Sequence, residues 1–102
     1  MLPLEAVRER VAASPFHRLI GLELVAITPE LVLRLSPDER LEGRPGSGFL
    51  HGGVLATLVD AAGSFAVIAQ QGASVATVDM LVDYHRPAPL RTLLAQAQIT
   101  DW

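Results

Sequence analysis

Four residues in the second half of the chain stand at spacings that put them on one side of a helix. They are Gly53, Thr57, Asp60 and Ser64, at i, i+4, i+7 and i+11. They lie in HGGVLATLVDAAGSF, residues 51–65, a stretch otherwise apolar nearly all round. A carboxylate is rarely kept in such surroundings unless it is paired, hydrogen-bonded or put to use. The seam fits a solvent-facing stripe on a half-exposed helix, or a structural hydrogen-bond network. It equally fits chemistry: in a mostly dry cleft, Asp60 would serve as general base or nucleophile.

Such a site needs a second half that binds an electrophile. The segment His51-Gly52-Gly53 opens the same helix, where backbone N–H groups have no intrahelical partner and the positive end of the dipole lies behind them. Glycine lets a ligand approach that backbone closely. The arrangement suits an oxyanion hole for acyl transfer. Gly52 and Asp60 are eight residues apart, however, which is about 12 Å along a helix axis. Reacting groups must converge within about 3 Å of one point, so the two cannot serve one carbonyl within a single chain. Two antiparallel helices related by a two-fold axis would repair this. A dimer with two shared sites is therefore expected if the seam is chemical.

The elements that must position these residues are legible in outline. Residues 3–13 fit a short amphipathic helix ended by Ser14-Pro15. After Gly21, LELVAI and LVLRLS are β-rich runs joined across Thr28-Pro29-Glu30, which predicts a hairpin. Residues 37–50 form a loop dense in proline and glycine, followed by the helix at about 52–70 with Gly72 as its stop. SVATVDMLVDYHR predicts a strand, with Ala76, Val78, Met80, Val82 and Tyr84 turned to a core and Thr77, Asp79, Leu81, Asp83 and His85 opposite. A last strand begins near Thr92. One long apolar helix among antiparallel strands predicts an α+β fold in which a sheet wraps a helix. Four strands are few for that task, so the sheet is expected to be incomplete.

Composition narrows the partners. The chain has 102 residues, half of them hydrophobic, and a net charge of −3, as expected for one globular domain. Its eight basic residues are all arginine and form no run, which argues against nucleic acid. The absence of cysteine excludes disulfides, thiolate metal sites and a thiol nucleophile. His17, His51 and His85 lack metal-ligand spacing. Glu5, Arg8, Glu9 and Arg10 interrupt the position of a signal-peptide apolar region. The apolar stretch Val54 to Ala69 is broken by Asp60 and is short for a bilayer span. A cytoplasmic protein without membrane contact is the expectation.

Taken together, Leu50-His51-Gly52-Gly53 with Asp60 nine residues after the histidine, Thr77-Val78-Asp79-Met80, and Tyr84-His85-Arg86-Pro87-Ala88 resemble the hot-dog fold thioesterases. The resemblance is to the phenylacetate-pathway (PaaI-like) and hydroxybenzoyl-CoA branch, and it extends to Ser14-Pro15-Phe16 and to Gly21-Leu22-Glu23-Leu24-Val25. It implies a long central helix wrapped by an antiparallel sheet, and dimers joined through the third strand that often pair into tetramers. It also implies hydrolysis of acyl-CoA or acyl-carrier thioesters without metal or organic cofactor. By position, Asp60 is the implied nucleophile or general base, and the Gly52 N–H is the implied donor to the thioester carbonyl. Ser64 and Thr77 match hydroxyl residues that handle water or substrate.

Other matched residues keep two roles open. His51 fits a structural part at the helix start as well as a proton carrier. Ser64 also fits helix back-bonding, and Thr77 an ordinary strand residue whose alternation turns it away from the helix. Gly53 belongs to the implied binding turn. Arg86 and Arg91 fit either coenzyme A phosphates or plain solvation. Gly48 matches the family pattern. Pro45 stands where the family usually has Asn or Gln, and Phe49 where a small Ser or Thr is common; the missing polar role would fall to Ser47 or Arg44. The family chain normally runs on for two more strands, which this sequence stops short of. A non-catalytic acyl-binding module on the same fold is the alternative.

Overall fold

The computed structural model describes residues 1–101. Helix α1, Leu4–Ala13, buries Val7 and Val11, one turn apart on a single face. Ser14 is extended, as a residue before proline prefers, and the helix stops there. A second short helix, absent from the sequence expectation, begins at once: α2, Pro15–Ile20. The Ser14 hydroxyl accepts from the His17 N–H at 3.3 Å, and Pro15 sits at the first helical position, where its missing N–H costs nothing. The same Ser-Pro pair therefore ends one helix and starts the next.

Gly21 closes α2 at φ 76° and opens the sheet, its carbonyl accepting from Ser36 N–H at 2.9 Å. A Cβ there would collide with the Ser36 carbonyl oxygen, and the backbone is in the left-handed region besides. Gly21→Ala is therefore expected to destabilise the fold by about 1–3 kcal/mol. A lowered urea midpoint with an unchanged m-value would record it.

Strands β1, Leu22–Ala26, and β2, Leu31–Leu35, form the expected antiparallel hairpin, with Leu22 opposite Leu35 and Leu24 opposite Leu33. β3, Leu93–Ala97, pairs antiparallel with β2, giving the order β1-β2-β3. Leu31, Leu33 and Leu35 alternate inward along the central strand and are buried.

Helix α3, Gly52–Gln71, lies across this sheet, its Leu58, Ala61, Ala62, Phe65, Ala66 and Ala69 facing the core. The alanines let the helix approach the leucines of β2 closely. The helix runs one residue past the expected 52–70. At 20 residues it is long and apolar enough to cross a bilayer, yet here it is the core helix of the domain. Gly72 ends it in the left-handed conformation, its N–H bonding to the Ile68 carbonyl at 2.8 Å. The Leu2 N–H reaches the Ala69 carbonyl at 2.8 Å, which ties the N-terminus to the far end of α3.

The strand expected over SVATVDMLVDYHR is not formed, so the sheet has three strands among the described residues rather than four. A strand needs a hydrogen-bonding neighbour, and among the described residues this segment has none. Its expected alternation fails too. Val78, expected inside, is 99% exposed, while Thr77 and Tyr84, expected on opposite faces, both bond to α3.

The loop before α3 is held from both sides. Leu50 N–H bonds to Ala88 O at 2.9 Å and Leu90 N–H to Gly48 O at 2.8 Å, while His51 N–H bonds to Leu41 O at 2.9 Å. The Glu42 carboxylate accepts from the N–H groups of Gly46 and Gly48 at 3.3 and 2.6 Å and closes the turn. These bonds set where the helix begins.

Candidate active site

Asp60 lies on the side of α3 away from the sheet and is half-buried. The Thr77 hydroxyl donates to its Oδ1, and Ser64 Oγ lies 3.5 Å from Thr77 Oγ1. Asp60, Thr77 and Ser64 thus form one polar cluster, although Thr77 is 17 residues beyond Asp60 in the chain. The cluster opens into a cavity of about 360 Å³ walled by Val59, Val67, Val75 and Met80. Among the described residues no polar or charged side chain is fully buried, so the dry cleft expected around Asp60 is only partly closed in the single chain.

The alternation in the sequence turns Thr77 away from the helix, and the structure corrects this. With no sheet partner to enforce the pleat, the segment bends so that Thr77 meets α3. Thr57, on the same helical seam, plays no part in the cluster. Its hydroxyl donates to the Gly53 carbonyl at 2.9 Å, within its own helix.

The helix start forms a second group. His51 is the N-cap residue, and its Nδ1 accepts from Gly53 N–H at 2.8 Å. With Nδ1 as acceptor, the neutral ring carries its proton on Nε2. A Cβ at Gly53 would lie 2.9 Å from Nδ1, so the cap requires glycine there. The Val54 N–H bonds to His51 O at 2.9 Å. The Gly53 N–H is therefore already taken by His51 and is not open to a ligand. Among the described residues, the Gly52 N–H makes no hydrogen bond and remains open at the positive end of the helix. It sits eight residues before Asp60, about 12 Å along the axis, so one chain does not bring the two together.

Arg86 and Arg91 belong to a third region, a groove of about 850 Å³ between α3 and β3. Both are exposed, and neither forms an ion pair among the described residues. In the loop before α3, Ser47 spends its hydroxyl on the backbone of Phe49, and Pro45 and Arg44 are exposed. Among the described residues no three His, Asp or Glu side chains gather as a metal site would need. Sequence reasoning passed over Tyr84, whose hydroxyl donates to the Gly52 carbonyl at 2.9 Å. The one signal for it was its place in the Tyr84-His85-Arg86-Pro87 run.

The fold and the placement of these residues define a hot-dog domain, a long helix laid across an antiparallel sheet with polar groups on its outer side. The profile of the thioesterase superfamily matches residues 47–101, more than half of the chain. Acyl-coenzyme A thioesterase 13 of Homo sapiens is 34% identical over 89 residues, covering 84% of this chain and 62% of that protein. An X-ray structure of a thioesterase-superfamily protein superposes with a TM-score of 0.82 at 43% identity, covering 89% of this chain and 70% of that one. Zebrafish thioesterase superfamily member 2 does so at 0.79 and 30% identity, covering 100% of this chain and 78% of that one. The chain belongs to the thioesterase superfamily. It spans 42% to 62% of the length of the curated relatives it matches.

Proposed function

We propose that this protein is an acyl-CoA thioesterase that hydrolyses its substrate to free acid and coenzyme A. The observation that carries this is the Asp60 carboxylate on the outer side of α3, hydrogen-bonded by Thr77 with Ser64 beside it, on the helix whose first N–H, at Gly52, is open. Similarity to acyl-coenzyme A thioesterase 13 supports the substrate class. Asp60, or a water that Asp60 deprotonates, attacks the thioester carbonyl. The carbonyl π electrons move to oxygen, which the Gly52 N–H holds. Collapse breaks the C–S bond and expels the coenzyme A thiolate. On the water route the acid forms at once, and the proton taken by Asp60 passes to the thiolate. On the direct route an acyl–Asp60 anhydride remains, which water cleaves to free acid and Asp60, with the released proton going to the thiolate.

In this proposal the two halves of each site come from two chains packed with antiparallel α3 helices, Asp60 from one and Gly52 of the partner subunit. A homodimer, or a dimer of dimers, is the assembly this requires. Val78 and Leu81, 99% and 85% exposed on an unpaired segment, are the apolar surface such an interface would cover. Arg86 and Arg91, at the mouth of the larger groove, are placed to meet phosphates of coenzyme A. The cytoplasm is the location we infer, in keeping with the substrate and a chain without cysteine.

Coenzyme A release from benzoyl-, phenylacetyl- and medium-chain acyl-CoA tests the proposal. Release well above the uncatalysed rate supports it. No release from a folded dimer that still binds acyl-CoA would point to the non-catalytic binding module, for which Pro45 in place of a polar side chain carries no penalty.

Thr77→Val keeps the side-chain shape and removes the donor to Asp60. Hydrogen bonds to charged groups are the stronger class, so kcat is expected to fall about tenfold. The melting temperature should hold, because the site is half-open. Steady-state kinetics beside a thermal melt would read both.

A further inference from the structure

The two polar atoms of a single peptide group, the one joining Gly52 to Gly53, are held by two different side chains. Its carbonyl oxygen accepts from the Tyr84 hydroxyl at 2.9 Å, and its N–H donates to His51 Nδ1 at 2.8 Å. The Tyr84 ring also lies along the open side of Gly52, since a Cβ there would stand 3.6 Å from its Cε1 atom. We propose that Tyr84 is a positioning residue that fixes the direction of the Gly52 N–H, by clamping the next peptide plane together with His51. This deepens the proposed function and rests on it, because it concerns the donor that would hold the thioester oxygen.

Two consecutive glycines have more backbone freedom than any other pair, and the first turn of a helix lacks half its hydrogen bonds. A donor serves an oxyanion only if it already points at it, so that no reorganisation is spent during reaction. The helix alone does not supply that rigidity at its first residue. Locking the 52–53 plane fixes ψ of Gly52, and the capping geometry of His51 fixes the residue before it. What remains is a single orientation for the N–H between them.

Tyr84 does not depend on its own hydroxyl for its place. The segment is tied just downstream by Leu50 N–H to Ala88 O and by Leu90 N–H to Gly48 O. Tyr84 is also 55% exposed, so little core packing rests on it. Tyr84→Phe should therefore keep the ring where it is and delete one hydrogen bond.

The test compares wild type and Tyr84→Phe in the full chain by two readouts. Backbone ¹⁵N relaxation and amide exchange report on Gly52 and Gly53 without any substrate. Steady-state hydrolysis of an acyl-CoA reports on turnover. The expected result is lowered order parameters at both glycines and Gly53 exchange faster by roughly fivefold, the scale of one ordinary hydrogen bond. With it, kcat falls about fivefold while KM stays within about twofold, since a mispointed oxyanion donor weakens the transition state more than the ground state. Unchanged order parameters and exchange at both glycines would overturn the clamp. Loosened glycines with an unchanged kcat would overturn its role in turnover. A folded wild type that hydrolyses no thioester would instead remove the proposed function, and the glycine dynamics would still decide the clamp.

Discussion

Asp60→Asn is expected to lower kcat on the order of a thousandfold or more, the scale of losing a nucleophile or general base. The substitution is nearly isosteric, and the new amide oxygen still accepts from Thr77, so the cluster of Asp60, Thr77 and Ser64 keeps its shape. What is lost is the negative oxygen that, in the proposed mechanism, attacks the carbonyl or takes a proton from water. Because Asp60 is half-buried and forms no ion pair among the described residues, the exchange should leave the melting temperature nearly unchanged. Coenzyme A release monitored with a thiol reagent, beside a thermal melt, measures both. A variant that retains half of the wild-type rate would remove Asp60 from the chemistry and leave it a structural member of the helix.

Leu33→Ala should have the largest effect on stability, a loss of about 2–5 kcal/mol. Leu33 is fully buried at the middle of the central strand, opposite Leu24 on one side and Ala95 on the other. Deleting its isobutyl group opens a cavity where α3 meets the sheet, and the packed layers cannot collapse to fill it. Domains of this size carry about 5–15 kcal/mol in total, so this is a large share. Urea unfolding should show a much lower midpoint. The contrasting variant is Leu94→Ala, one residue along β3 from the Ala95 partner and 64% exposed, expected to change stability by no more than about 0.5 kcal/mol. Equal effects for the two would mean that the leucines of β2 do not form the core.

The pair of expected results separates two faces of one helix. The inner face of α3, rich in alanine and closed by Leu58 and Phe65, determines whether the domain folds. The outer side carries Asp60, Ser64 and the open Gly52 N–H, none of them part of the buried core. Activity and stability are therefore expected to respond to different substitutions. The exposed Val78 and Leu81 and the 12 Å or so between Gly52 and Asp60 along the axis would both be accounted for by the proposed pairing with a second copy.

Much of the architecture was legible from residues alone, because it is locally encoded. Proline after Ser14, glycine at 21 and 72, and alternating leucines in the hairpin each act within a few residues. The helical repeat that gathers Asp60 and Ser64 on one side is equally local. The short helix α2 escaped because a Ser-Pro pair reads as an ending, whereas its serine also caps the next helix. The missing strand had a local pattern but no partner, and alternation describes a strand only where a neighbour bonds to it. Only the tertiary structure brought Thr77 to Asp60 and Tyr84 to the Gly52 carbonyl, 17 and 32 residues apart in the chain. Those contacts depend on how a segment without a ladder lies across a helix, and that is decided by the sum of packing and hydrogen bonding around it, beyond the reach of any spacing rule.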